Sequence, residues 1–94
     1  MMNGISEEHQ PFTLEERLIN EIREELRQAR AWPAMNSAHE GYGVLLEEVD
    51  ELWAHVRTKQ NQRNISAMKK EAIQVAAMAL RFALDVCNED VGRR

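Results

Sequence analysis

At 94 residues the chain has room for one domain, and a domain this small buries only about 60–65% of the surface its unfolded chain exposes. Its 12 Lys and Arg stand against 16 Asp and Glu, a formal net charge of −4, which argues against a nucleic-acid polymer as partner because that binding is driven by clustered basic residues. No run approaches the roughly 20 apolar residues of a membrane span, Met1 to Gln10 holds no signal-peptide core, and the single cysteine cannot form an intrachain disulfide, so the expectation is a cytoplasmic protein with no membrane partner.

Residues 1–12 are polar and aperiodic and read as a flexible N-terminal leader. Thr13-Leu14-Glu15-Glu16 fits a capping box, a threonine cap with a glutamate three residues on. Leu14, Leu18, Ile22, Leu26 and Ala29 then recur at helical spacing, which predicts an amphipathic helix over 14–31. Trp32-Pro33 stops it, since proline disfavours the α conformation of the residue before it.

Ser37-Ala38-His39-Glu40 is a second capping box, so a second helix is predicted from residue 38 to about 57. Tyr42, Leu45, Leu46, Val49, Leu52, Trp53 and Val56 form its apolar face, with Trp53 expected in the core. Gly41 and Gly43 each cost about 1 kcal/mol relative to alanine in a helix. They mark either a frayed first turn or the close approach of a neighbouring helix or ligand.

Thr58 to Asn64 is a polar loop, and Ser66 or Asn64 is a candidate cap for a third helix from Met68 to Val86. There the apolar positions almost encircle the axis, which predicts burial on nearly all sides. Two other helices of so short a chain cannot cover such a helix, so a partner subunit is implied. Cys87 follows this stretch and is read as a buried, inert thiol. A single domain over 13–90 and a tail over 91–94 complete the organisation. No strand pattern, internal repeat or low-complexity segment is present.

The informative cluster is Glu47-Glu48-Val49-Asp50-Glu51. At helical spacing Glu47, Glu48, Glu51 and His55 share an arc of about 100°. Glu48 and Glu51, three apart, can converge on one point, and like charges so placed destabilise an isolated helix. Mg²⁺ would compensate them, because it prefers carboxylate oxygens and retains waters for substrate phosphates; a solvated acidic face is the alternative. On the third helix, Glu71, Gln74, Arg81 and Asp85 fall in one stripe of about 80°. Buried polar groups require partners. If the two helices are antiparallel neighbours, Glu48, Glu51, Glu71 and Gln74 face one another, a known way to build a metal site in a bundle.

With these residues the sequence resembles the MazG-like, all-α nucleotide pyrophosphohydrolase family, over roughly residues 14–87. That family carries Glu-Glu-x-x-Glu on one helix and Glu-x-x-Asp on the next. Here the first half reads Glu47-Glu48-Val49-Asp50-Glu51, and the second reads Glu71-Ala72-Ile73-Gln74, with glutamine at the aspartate position. The strings HEGYGVLLEEVDELW and EAIQVAAMALRFALDV also look like a MazG-like subgroup.

The resemblance implies an all-α fold, an antiparallel helical hairpin plus an N-terminal helix, completed to a four-helix-type bundle in a homodimer or homotetramer. It implies Mg²⁺-dependent hydrolysis of a nucleoside triphosphate or deoxynucleoside triphosphate to the monophosphate and pyrophosphate, in nucleotide-pool housekeeping. By it, Glu48, Glu51 and Glu71 are metal ligands, and Glu47 is the catalytic residue, orienting the attacking water or adding a ligand. Gln74 retains a ligating oxygen without the charge, which shifts the expectation toward weaker metal binding or toward Mn²⁺. Arg81, Trp32 and Lys70 are the candidate substrate contacts, Arg81 and Lys70 for phosphate and Trp32 for base stacking. The alternative is a non-catalytic helical oligomer, a nucleotide-binding or interaction module that lost activity through Gln74.

Overall fold

The computed structural model describes residues 12–88, so all of the expected leader except Phe12, and the tail over 91–94, lie outside the described residues. Three α-helices are present, α1 (Leu14–Ala29), α2 (Ala38–Val56) and α3 (Ile65–Asp85), with a one-turn 3-10 helix at Gln60–Gln62 before α3. No strand occurs among the described residues.

The helix starts follow side-chain chemistry. Thr13 closes α1 with a full capping box: the Glu16 N–H donates to its hydroxyl at 3.1 Å, and its own N–H donates to the Glu16 carboxylate at 2.8 Å. Such a cap contributes about 1 kcal/mol. At α2 the box is only half formed. The Glu40 N–H donates to the Ser37 hydroxyl at 3.0 Å, but the Glu40 carboxylate accepts instead from the N–H of Asn36, one residue further back, at 2.8 Å.

Asn64 caps α3 by accepting from the Ala67 N–H at 3.0 Å. The helix therefore begins three residues ahead of Met68, with Ser66 inside its first turn rather than at the cap. Two arginines close the other ends. Arg63 donates to the Val56 and Thr58 carbonyls at the end of α2, and Arg81 donates to the Ala29 carbonyl at the end of α1.

α3 is the central helix, packed against α2 and, less extensively, α1. The pairing of Gly41 with Phe82 and of Glu48 with Gln74 makes α2 and α3 antiparallel, whereas α1 runs parallel to α3, its last residue at Arg81 near the end of α3. Gly41 is a point of close approach. A β-carbon there would stand 2.7 Å from Phe82 Cδ2 and 3.0 Å from Met35 Sδ, whereas one at Gly43 would meet nothing within 4 Å.

Burial departs from the periodicity. Among the described residues the buried apolar side chains are Met35, Ile73 and Ala77, and Arg81 is buried beside them. α3 is not covered on nearly all sides: Ile65 is 63% exposed, and Leu80 is exposed as well. Two neighbouring helices occupy two sides of α3 and leave the third open. Trp53, expected in the core, is 57% exposed because α3 is the main neighbour of α2 and covers one face of it only; Cys87, expected to be buried, is exposed past the end of α3. None of the described helices is long and apolar enough to cross a membrane.

Candidate functional site

The hairpin of α2 and α3 brings three carboxylates to one point. One ligand oxygen each from Glu48, Glu51 and Glu71 lies within 4.8 Å of the others. Glu48 and Glu51 project from successive turns of α2, and the antiparallel register sets Glu71 of α3 opposite them. Glu48 and Glu71 are half-buried and Glu51 is exposed, so the cluster opens to solvent on the Glu51 side.

The electrostatics are those of crowded like charges. Burial pushes the Glu48 carboxyl up from its ordinary value, and the charges of Glu51, Glu71, Glu47 and Glu25 add to the rise. Burial also pushes Glu71 up, reinforced by a hydrogen bond to Glu51 and by the Glu51 charge, while His55 and Lys70 act against it. Arg27, paired with Glu24, and Arg81, paired with Asp85, do not reach the cluster.

Gln74 lies one turn along α3 from Glu71. With its amide oriented to satisfy its hydrogen bonds, the nitrogen donates to Glu48 Oε2 and to Glu71 Oε2, each at 3.3 Å. In this orientation Gln74 is a donor to two of the carboxylates rather than a fourth acceptor. Glu47 is exposed and flanks the cluster.

A cleft of about 440 Å³ adjoins the carboxylates and shares Glu48 with them. Its walls include Trp32, Pro33 and Met35 from the α1–α2 connection, Val44 from α2 and Met78 from α3, with Glu25 and Gln28 from α1. Trp32 is 73% exposed on its rim. Lys70 lies instead in a second cleft of about 540 Å³, between α1 and the first turns of α3, which also contains Glu25.

Arg81 also lines the 440 Å³ cleft but does not belong to the converging group of Glu48, Glu51 and Glu71. It is only 6% exposed, and its guanidinium donates to the carbonyls of Ala29, Trp32 and Pro33 and to the Asp85 carboxylate. These bonds commit both terminal nitrogens and Nε to the protein itself.

Two contributors were not anticipated. Glu25 extends the acidic field from α1 to Glu48. Its signal was present, because Leu18, Ile22, Glu25 and Ala29 are spaced 4-3-4 and place a carboxylate within the apolar stripe of α1. Asp85 accepts from the Met35 N–H at 3.1 Å, fifty residues away, a pairing that no local pattern encodes. No protein-family model, curated protein or solved structure matches this chain.

Proposed function

We propose that the chain is a divalent-cation-dependent pyrophosphohydrolase that cleaves nucleoside or deoxynucleoside triphosphates to the monophosphate and pyrophosphate. The observation that carries this reading is the convergence of Glu48, Glu51 and Glu71 from two helices, beside a cleft that shares Glu48 with them. Three hard oxygen donors with no arginine partner among the described residues fit a small dication such as Mg²⁺ or Mn²⁺. The upward shifts of Glu48 and Glu71 mark a cluster that a cation would relieve.

When bound, the ion would neutralise phosphate oxygens and supply an acidified water for attack at the α-phosphorus. The chain's own residues do the rest by positioning. Glu48, Glu51 and Glu71 hold the cation. Glu47, on the exposed flank, orients the water. Trp32 offers an indole face at the mouth of the cleft to a base, and Lys70 contributes positive charge on the α3 side.

The same reading includes a homo-oligomer. Tyr42, Leu46, Val49, Trp53 and Val56 are exposed on α2 and spaced 4-3-4-3, the repeat of a helix–helix seam. Ile65, Ala72, Ala79 and Ala83 present a second exposed line on α3. Together they form a two-helix apolar face on the side of the hairpin away from the carboxylates. A second copy laid on it would complete a four-helix bundle.

A second reading is favoured by one observation. The Gln74 amide donates to Glu48 and Glu71, so it partly satisfies the carboxylates that a cation would otherwise hold. On that reading the chain is a non-catalytic, nucleotide-binding or interaction module. Pyrophosphate release from a panel of NTPs and dNTPs with Mg²⁺, Mn²⁺ or EDTA separates the two. Metal-dependent release that disappears in Glu48→Gln supports the enzyme, and silence from a folded chain supports the module.

A further inference from the structure

Four hydrogen bonds converge on one buried side chain beside the cleft. Arg81 Nη1 donates to the Ala29 carbonyl at 2.7 Å, and Nη2 donates to those of Trp32 and Pro33 at 2.8 and 2.6 Å. Nε donates to Asp85 at 3.0 Å, and the same Asp85 oxygen accepts from the Met35 N–H at 3.1 Å. Arg81 and Asp85 thus hold the chain at Ala29, Trp32, Pro33 and Met35, which is the end of α1 and the turn that follows it. Trp32, Pro33 and Met35 are also the residues by which that turn forms a wall of the 440 Å³ cleft beside Glu48.

Besides these bonds the turn is fixed by the buried Met35 side chain and by the N–H groups of Ala31 and Trp32, which donate to the Gln28 and Ala29 carbonyls. It carries no regular element between Ala29 and Ala38, and the Trp32 side chain stands largely in solvent. Four of the five N–H donors of the Arg81 guanidinium are engaged by the protein, and its planar fork suits the fixing of several carbonyls at once.

We propose that Arg81, braced by Asp85, is a positioning residue that sets the Trp32–Pro33 wall of the nucleotide cleft and so governs substrate binding through that wall. The proposal rests on the pyrophosphohydrolase reading for what the cleft holds, but not for the clamp itself. Lysine cannot replace this arginine, because an ammonium is a point donor and does not span three carbonyls and a carboxylate in one plane.

The test uses the full chain in two arms. In the first, without nucleotide, the two indole N–H resonances are followed by NMR and assigned with Trp32→Phe. Arg81→Lys should shift and broaden the Trp32 resonance and leave that of Trp53 in place, because Trp53 lies on the opposite side of the hairpin. An unmoved Trp32 resonance in folded Arg81→Lys overturns the proposal.

In the second arm, Mg²⁺-dependent turnover of a nucleoside triphosphate is measured. Arg81→Lys should raise KM about tenfold and change kcat less than about twofold, the signature of lost binding rather than lost chemistry. A fall in kcat at unchanged KM overturns the proposal. If Arg81→Lys does not fold, Asp85→Asn, which keeps shape and one acceptor oxygen, decides both arms by the same criteria. A wild-type chain that releases no pyrophosphate overturns the functional reading alone, and the first arm then decides the clamp.

Discussion

Gln74 reaches from α3 to Glu48 on α2, its amide nitrogen 3.3 Å from Glu48 Oε2, and makes the same contact with Glu71. A neutral donor thus stands where the resemblance would place an anionic ligand. The acidic cluster is thereby softened without a cation.

Gln74→Asp should reverse that arrangement. A fourth carboxylate removes the donor and adds a like charge, so the metal-free protein should melt lower, by about 4–8 °C for each kcal/mol lost in a domain of this size. Affinity for Mn²⁺ should rise about tenfold as an anionic ligand is gained. Calorimetric titration and thermal melts with and without EDTA measure both. An unchanged affinity would mean that position 74 does not face the cation.

The raised carboxyls set the sign of the pH dependence. Glu48 and Glu71 have folded pKa values above their unfolded ones. Without a cation, these two groups favour the fold at low pH, and that contribution is lost as pH rises through their folded values. A ligand must be deprotonated, so cation binding opposes this loss. The melting temperature gained on adding Mg²⁺ should therefore grow as pH rises from the ordinary glutamate range toward neutrality. Melting curves across that range check it; a gain independent of pH would place the cation elsewhere.

Asp85 carries the opposite sign. Burial alone would push it up, but the hydrogen bond from the Met35 N–H, followed by the hydrogen bond and charge of Arg81, holds it below the ordinary aspartate value. A depressed folded pKa contributes stability that is complete above the unfolded value and lost as pH falls through the folded one. Asp85→Asn should abolish that acid-side component and cost about 1.5–3 kcal/mol at neutral pH, the range for a hydrogen bond to a charged group. Urea unfolding at neutral and acid pH reads both effects.

The two glycines of α2 should respond in opposite directions to alanine. At Gly43 the added methyl meets open space, so helix propensity alone acts and stability should rise by up to about 1 kcal/mol. At Gly41 the same gain is offset by collision with the Phe82 ring and the Met35 sulfur. Overpacking of this kind costs about 1–3 kcal/mol, and the net should be destabilising. Paired denaturation curves settle the signs.

The exposed seam on α2 is tested by Leu46→Glu. A charge at its centre should convert an oligomer to monomer in sedimentation velocity and lower the melting temperature. The lost burial of one leucine alone is worth about 1.5–3 kcal/mol. A wild-type chain that sediments as a monomer would remove the bundle from the proposed function.

The sequence was most informative where the chemistry is local. Thr13, Ser37 and Asn64 announce the helix starts because a cap needs only the next three residues. The spacing of Glu48, Glu51 and Glu71 requires only helical geometry and an antiparallel neighbour, and the hairpin supplies both. Periodicity does not say which side a neighbour takes. Trp53 lies in the apolar stripe of α2, yet the face toward α3 is the one centred on Leu45, Glu48 and Leu52. The sequence offers Arg81 as a candidate phosphate contact, and it lines the cleft beside Glu48. Its partners, at separations of 48 to 52 residues, are fixed by how α1 lies on α3, which no spacing within α3 records.

Those long separations also order the assembly of the chain. The hairpin of α2 and α3 closes through the short connection at residues 57–64 and needs only modest loop entropy. The end of α1 is different, because the guanidinium that seals it is 52 residues downstream. On a ribosome, α1 and its turn must wait, carbonyls open to water, until nearly all of α3 has emerged. The end of α1 is thus sealed last among the three described helices, and a chain cut short before residue 81 would keep the Glu48–Glu71 end of the α2–α3 pairing while leaving the end of α1 and its turn without their clamp.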